Sequence, residues 1–338
     1  MLRVGIVGLG FMGRMHLRCW KARQDAQVVA VCDANPNLRE EAQGKVGNIA
    51  GAEGVDLEGI EWFRDLDEML DKTELDAISL TLPTYLHAEF TEKALSRGLG
   101  VLCEKPMALT VADCDRMIQA AERSGKVLQI GHCVRFWPEY AKAKEIVDSG
   151  RYGRVMAATF QRLGSPPGWG QDNWFADESR SGGVALDLHI HDTDFVQYLF
   201  GLPKAVCSHG ARAADARLIH IVTQYVYDDE KVVTAEGGWG MTPSFGFEMS
   251  FNLALEKATL VYDLTRQPVF RVYPAAGEVL TPEVAEGDGY TRQIEHFAKA
   301  VSGQAVEEVI TLRQSRDSVR IVQAERQSID EHKQVMME

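Results

Sequence analysis

The sequence predicts a doubly wound, parallel α/β domain followed by an α+β domain built on a large, mostly antiparallel sheet. Three observations predict it. Apolar runs of strand length alternate with helical stretches up to about residue 125, a GxGxxG loop follows the first of those runs, and beyond residue 150 the spacing changes to the two-residue alternation of half-buried strands.

The first strand, 3–7, runs into Gly8-Leu9-Gly10-Phe11-Met12-Gly13, which opens a helix over 12–22. Gly8 suits the tight turn, Gly10 lets backbone approach a pyrophosphate, and Gly13 lets the helix pack closely on the strand. The second strand, 28–32, ends at Asp33, 25 residues after Gly8, where a carboxylate accepts hydrogen bonds from adenosine ribose hydroxyls. Strands at 77–81, 100–103 and 127–130, with helices around 64–71, 85–98 and 111–124, complete a Rossmann-type sheet. The dinucleotide-binding domain is assigned to 1–125 and a substrate-binding and oligomerisation domain to 126–338. In the latter a helix over 138–148 precedes strands at 155–162, 218–227, 231–239, 247–255 and 259–263, and a helix over about 311–329 closes the chain. Residues 164–170 and 274–289 read as loops. One face of the second sheet should be apolar and covered by another copy, giving a homodimer or homotetramer.

Composition narrows the function. With 338 residues, 45% hydrophobic, the chain suffices for two cored domains of a soluble protein. Its 36 basic and 49 acidic residues give a net charge of -13, which argues against nucleic acid and anionic membranes as partners. The absence of a long apolar run or signal peptide points to the cytoplasm. Six scattered cysteines without metal-type spacing read as reduced, mostly buried thiols; Cys103 ends a strand and reads as a small hydrophobe. Asp33 repels a 2′-phosphate and so favours NAD over NADP, unless Arg39 or Arg64 folds back toward it.

In open α/β sheets ligands bind beyond the carboxyl ends of the strands, so the residues that end each strand carry the chemistry. After 77–81 come Thr81-Leu82-Pro83-Thr84-Tyr85-Leu86-His87, and after 100–103 come Glu104-Lys105-Pro106. An ammonium at Lys105 is placed to steady a developing alkoxide, and Lys105–Pro106 is a candidate cis peptide. A second cluster, Gly182 to Asp194, puts Asp187, His191 and Asp194 at i, i+4 and i+7 if helical, so that a carboxylate and an imidazole share one face. Imidazole titrates near neutrality and suits proton exchange with an alcohol. Metal ligation by His189, His191 and the neighbouring acids is the rival reading, but two histidines two apart diverge on a helix, and no metal is expected. Arg135, after the strand at 127–130, is a candidate to hold a substrate hydroxyl or carboxylate. Trp169 and Trp174 are candidates either for stacking on a sugar ring or for pinning their loop.

Taken together, Gly8–Gly13, Thr81-Leu82-Pro83 with His87, Glu104-Lys105-Pro106, Gly153-Arg154-Val155 and Gly182-Gly183 through Gly201 resemble the Gfo/Idh/MocA oxidoreductases, which include inositol and sugar dehydrogenases. The likeness covers nearly the whole chain. It implies cofactor contacts at Gly8, Gly10, Phe11, Met12, Gly13, Asp33, Thr81, Leu82, Pro83, His87, Glu104 and Lys105. It also implies catalysis by Asp187 and His191 with Lys105, on a sugar, polyol or cyclitol. The chain departs from the pattern at Leu82, inserted between Thr81 and Pro83, and at Val134, where inositol-type relatives often carry a basic residue. Hydride transfer is the expected reaction. A redox-neutral lyase or glycosidase using NAD transiently, and a non-enzymatic nucleotide sensor, are the alternatives.

Overall fold

The computed structural model describes residues 1–35, 37–38, 54–168 and 171–337; Arg39 and Trp169 lie outside the described residues. The chain forms two compact units: Met1–Cys133 with Pro167–Ser181 and Gly289–Arg316, and Val134–Pro166 with Gly182–Asp288 and Asp317–Glu338. The division therefore falls eight residues beyond the expected boundary at 125, after the sixth strand, and two later segments fold with the first unit.

In the first unit β1 (Leu2–Val7), β2 (Ala26–Cys32), β3 (Glu61–Phe63), β4 (Ala77–Leu80), β5 (Gly100–Glu104) and β6 (Leu128–Gly131) make a parallel sheet in the order β3-β2-β1-β4-β5-β6. Its strands are continuous apolar runs because both faces are covered: Ile6, Val31, Ile78 and Val101 are wholly buried. The winding reverses at β1, which makes the end of β1 the switch point of the sheet. The connecting helices are α1 (Phe11–Lys21), α2 (Leu66–Lys72), α3 (His87–Ser96) and α4 (Val111–Ser124). Side-chain caps fix two of their starts: Asp65 accepts from the Glu68 amide at 3.0 Å and Thr110 from that of Asp113 at 3.1 Å. The sequence pattern missed α7, the helix at Gly289–Val301, which returns to this unit; its Phe297 meets Trp20 of α1 edge to face at 6.2 Å.

The second unit contains α5 (Pro138–Asp148), β7 (Val155–Gly164), α6 (Ile190–Phe200), β8 (Ala205–Arg212), β9 (Leu218–Val226), β10 (Val232–Gly238), β11 (Phe247–Leu255), β12 (Ala258–Asp263), β13 (Phe270–Pro274), most of α8 (Leu312–Glu331) and β14 (Val335–Met336). The eight strands run β13-β12-β11-β7-β10-β9-β8-β14, antiparallel except between β7 and β10. Alternation sorts the side chains. Phe160 and Phe251 point inward with Phe195 of α6, and Tyr140 of α5 sits among them with ring centroids 4.8–5.1 Å from Phe195, Phe251 and Tyr262. The register lines Val261, Asn252, Thr159, Thr234 and Gln224 across the opposite face in one row. That face is mixed, not apolar as expected, because the β-branched residues that pattern as strand formers include threonines.

Candidate active site

In the first unit, the glycine loop is held by backbone and by its neighbours. Gly8 has φ +90°, and a Cβ there would come within 2.8 Å of the Thr81 carbonyl. A Cβ at Gly13 would lie 1.9 Å from the Gly8 carbonyl oxygen, so only glycine lets α1 start this close to the loop. The Thr81 hydroxyl donates to the Gly8 carbonyl at 2.7 Å, which ties the loop to the end of β4. Gly10 begins α1 without a side-chain cap, and a Cβ built on it would meet nothing within 4 Å. This is the cradle a pyrophosphate requires at a helix N-terminus. Phe11 and Met12, in the first turn, are partly exposed, as are Leu82 and Pro83.

Asp33 is partly exposed at the end of β2. One carboxylate oxygen accepts from the Leu9 amide at 2.7 Å and the other from the Asn35 amide at 2.9 Å. The amides fix the carboxylate at the switch point with lone pairs left for ribose hydroxyls, so the residues present fit an adenine dinucleotide. Arg64 extends to within 3.4 Å of the Ala34 carbonyl oxygen, one residue from Asp33.

The ends of β4 and β5 separate residues that reach the surface from residues that hold them there. Lys105 is partly exposed, and its peptide bond to Pro106 is cis. His87 and Glu104, expected among the cofactor contacts, are both buried. His87 is buried with its ring nitrogens 2.8 Å from the Pro106 carbonyl oxygen and 2.9 Å from that of Leu82, a staple between the two loops. The inserted Leu82 thus supplies a staple carbonyl. Glu104 is buried and accepts from His16 Nε2 at 3.0 Å and from the Lys105 amide at 3.3 Å. Burial pushes its carboxyl upward, but the His16 hydrogen bond and charge, with Lys105 and His87, outweigh burial and hold it below its usual range. Cys103 is buried, and burial pushes its thiol upward, the opposite of an activated nucleophile. Trp174 is partly exposed and stacked on Phe175 with centroids 4.0 Å apart.

In the second unit, Gly182 and Gly183 turn the chain with φ +76° and +66°, and a Cβ at Gly182 would lie 2.4 Å from Leu186. A π-helical segment, Ala185–His189, then precedes α6. Asp187 and His191 are partly exposed, whereas Asp194, expected to share their face, is wholly buried. Asp194 receives a bidentate pair from Arg135, Nε and Nη2 each at 2.8 Å, and a hydrogen bond from Ser318 at 2.8 Å. The guanidinium also lies 4.5 Å from the Tyr198 ring centroid. Arg135, expected as a substrate ligand, has its side chain fully buried and paired with Asp194. Asp192 is likewise buried and paired with Arg162 at 2.9 and 3.1 Å. Sequence reasoning missed Arg162 and Asp192, whose partnership joins positions 30 apart with no local signal. Tyr140 is wholly buried among aromatic rings, and burial raises its hydroxyl well above the ordinary tyrosine range. Among the described residues no group of three histidine, cysteine or acidic side chains is placed to hold a metal ion.

The Glu104 pair generates a stability prediction. A carboxyl held low in the folded state stabilises above its unfolded value near 4.5, and that contribution is lost as pH falls through the folded value. His16→Ala leaves one oxygen of a buried carboxylate without its side-chain donor and should cost about 3 kcal/mol at pH 7. The difference from wild type should shrink as pH falls through the lowered folded value, where the wild-type carboxyl also becomes protonated. Urea midpoints at pH 7 and pH 3.5 check this; a gap independent of pH contradicts it.

Comparison with known proteins agrees with this geometry. Residues 2–132 match a family model described as "Oxidoreductase family, NAD-binding Rossmann fold", and residues 140–261 match one described as "GFO/IDH/MocA C-terminal domain". The chain is 28% identical over 302 residues to an inositol 2-dehydrogenase of Rhizobium meliloti, covering 86% of this chain and 81% of that protein. It is 33% identical over 210 residues, 62% of this chain, to a 2,7-anhydro-N-acetylneuraminate hydratase of Mediterraneibacter gnavus, and spans about half (52%) of that relative's length. A levoglucosan dehydrogenase solved with NADH and levoglucosan shares the fold with TM-score 0.82 at 21% identity, over 99% of each chain. Both family models are matched, one after the other, over the sheet that carries the glycine loop and the sheet that backs Asp187 and His191: the chain belongs to the Gfo/Idh/MocA oxidoreductase family.

Proposed function

We propose that the protein is an NAD-dependent oxidoreductase that exchanges a hydride with a secondary hydroxyl of a sugar, polyol or cyclitol. The observation that carries this reading is the division of labour along 187–194. Asp192 and Asp194 are buried and neutralised by arginines, and Asp187 and His191 stay partly exposed. The family and the inositol 2-dehydrogenase relative support the reaction class.

When bound, NAD supplies the hydride acceptor for alcohol oxidation. Gly8, Gly10 and Gly13 with the start of α1 would take its pyrophosphate, and Asp33 its adenosine ribose. Lys105 donates a hydrogen bond to the substrate oxygen and stabilises the negative charge that develops there. His191 takes the hydroxyl proton at a ring nitrogen in oxidation and returns it in reduction. Asp187 orients the imidazole and stabilises its protonated form. Trp174, stacked and partly exposed, would present an aromatic surface to the apolar side of a sugar ring.

A second reading is supported by the hydratase relative: the same residues could oxidise a sugar transiently, make elimination easy, and then reduce it again with no net change in NAD. Offering a panel of cyclitols, aldoses and glycosides while following NADH absorbance separates the two, since net NADH appears only in the first.

We also propose self-association through the mixed face of the eight-stranded sheet. Val222 and Val232 are 40% and 51% exposed there, among amides and hydroxyls able to pair with a second copy. A homodimer or homotetramer is expected by light scattering at micromolar concentration, and monomer alone contradicts it.

For cofactor choice, NAD should bind more tightly than NADP, and Asp33→Ala should narrow the gap, because it removes both the ribose acceptor and the repulsion of a 2′-phosphate. Titration of both cofactors checks this, and preference of the wild type for NADP, with Arg64 as the phosphate ligand, contradicts it. For the chemistry, His191→Ala should lower turnover by about two to four orders of magnitude and leave NAD affinity nearly unchanged. Lys105→Met should damage turnover and weaken both substrate and cofactor binding. Wild-type turnover in His191→Ala refutes the mechanism.

A further inference from the structure

Glu325 of α8 is a wholly buried carboxylate, and no step of the proposed reaction uses it. It closes a four-membered polar ring inside the second unit. The Thr193 hydroxyl of α6 donates to Glu325 Oε1 at 3.1 Å, Tyr225 of β9 lies 2.9 Å from that hydroxyl, and His189 Nε2 lies 3.4 Å from the Tyr225 hydroxyl and 3.5 Å from Glu325 Oε2. Thr193 donates to Glu325 Oε1 and Tyr225 can donate to Thr193, while Glu325 Oε2, buried with no hydrogen-bond partner of its own, faces His189 Nε2. All four side chains are buried, so the ring is shielded from competing water.

His189 is the last residue of the π-helical segment that carries Asp187 and precedes His191. It is walled in from β10, where a Cβ at Gly237 would lie 2.9 Å from His189 Cβ and Nδ1. The next residue of α8, Arg326, donates from Nη1 to the Gly182 carbonyl at 3.1 Å, at the glycine turn where this stretch begins. Two consecutive residues of one helix thus grip the stretch 182–189 at both ends. A π-helical turn is less favourable than a regular α-helical one and persists where its surroundings fix it; here α8 supplies that constraint.

We propose that Glu325 and Arg326 are positioning residues for the reaction, holding the π-helical segment so that Asp187 and His191 are presented in working geometry. The proposal rests on the acid–base reading of those two residues. Glu325→Gln keeps the volume but turns one acceptor into a donor facing Thr193 or His189, and Arg326→Met removes the grip on Gly182.

The test uses the full-length protein and three readouts: NAD affinity, the kcat and KM of the substrate found in the panel, and the His191 ring signal in an imidazole NMR spectrum, identified by its disappearance in His191→Gln. Glu325→Gln should leave NAD affinity within about twofold, displace the His191 signal, and lower kcat about tenfold or more with little change in KM, as expected when a reacting group is misplaced by an ångström or less. Arg326→Met should act in the same direction, and Arg326→Lys should restore most of the lost kcat. Should Glu325→Gln fail to fold, Arg326→Met with its lysine counterpart decides the matter. An unmoved His191 signal and wild-type kcat in the folded variants overturn the proposal. Full turnover in His191→Gln would refute the acid–base reading instead, while the His191 ring environment, compared between Arg326→Met and Arg326→Lys through the neighbouring His189 signal, would still report whether α8 holds the segment.

Discussion

Arg135 and Asp194 meet with both side chains out of reach of water, and the second unit is arranged around the need to keep them paired. An unpaired charge in such a place costs several kcal/mol, whereas a bidentate guanidinium–carboxylate pair with its remaining lone pairs satisfied is tolerated. Ser318 of α8 supplies the extra hydrogen bond to Asp194, and Tyr198 lies under the guanidinium. Arg162 of β7 holds Asp192 in the same manner. The two pairs fasten α6 to the short turn before α5 and to the strand beneath it. They also bury and pair two of the three acids at 187–194, and leave Asp187 partly exposed beside the partly exposed His191.

The first unit follows the same logic with different groups. His87 staples the loops after β4 and β5, Thr81 ties the glycine loop to β4, and Glu104 is locked to His16 beneath the strand end. These polar groups are buried or spent on backbone, and Asp33 and Lys105 are left partly exposed at the strand ends. In each unit the partly exposed candidate residues are few, and the residues that hold them are the more deeply buried ones.

The parallel sheet was legible because strands covered on both faces are continuous apolar runs, except at the short edge strand β3, which is only partly buried, and glycines mark where a side chain has no room. The second sheet was legible where alternation is strong, as in β11. It was missed at β8, whose second half is exposed and carries His209 and Arg212, and at the short β13. The π-helical segment left no trace, since Asp187, His191 and Asp194 satisfy regular helical spacing, and only burial shows that Asp194 belongs elsewhere. Arg135 looked like a substrate ligand for the same reason: its partner lies 59 residues away. His87 and Glu104 could be picked out by motif, but motif membership does not distinguish a residue that touches a ligand from one that positions its neighbour.

The central claim is that Asp187 and His191 form the proton-exchanging pair that the buried arginines leave available. It is tested most directly by the pH dependence of kcat/KM for alcohol oxidation in wild type and Asp187→Asn. Oxidation needs His191 in its neutral form, so the rate rises with pH through an acidic limb set by the imidazole. Removing the Asp187 charge destabilises the imidazolium, so that limb should move to lower pH while the fold and NAD affinity stay as they are. A limb at the wild-type position, with undiminished kcat, would contradict the account.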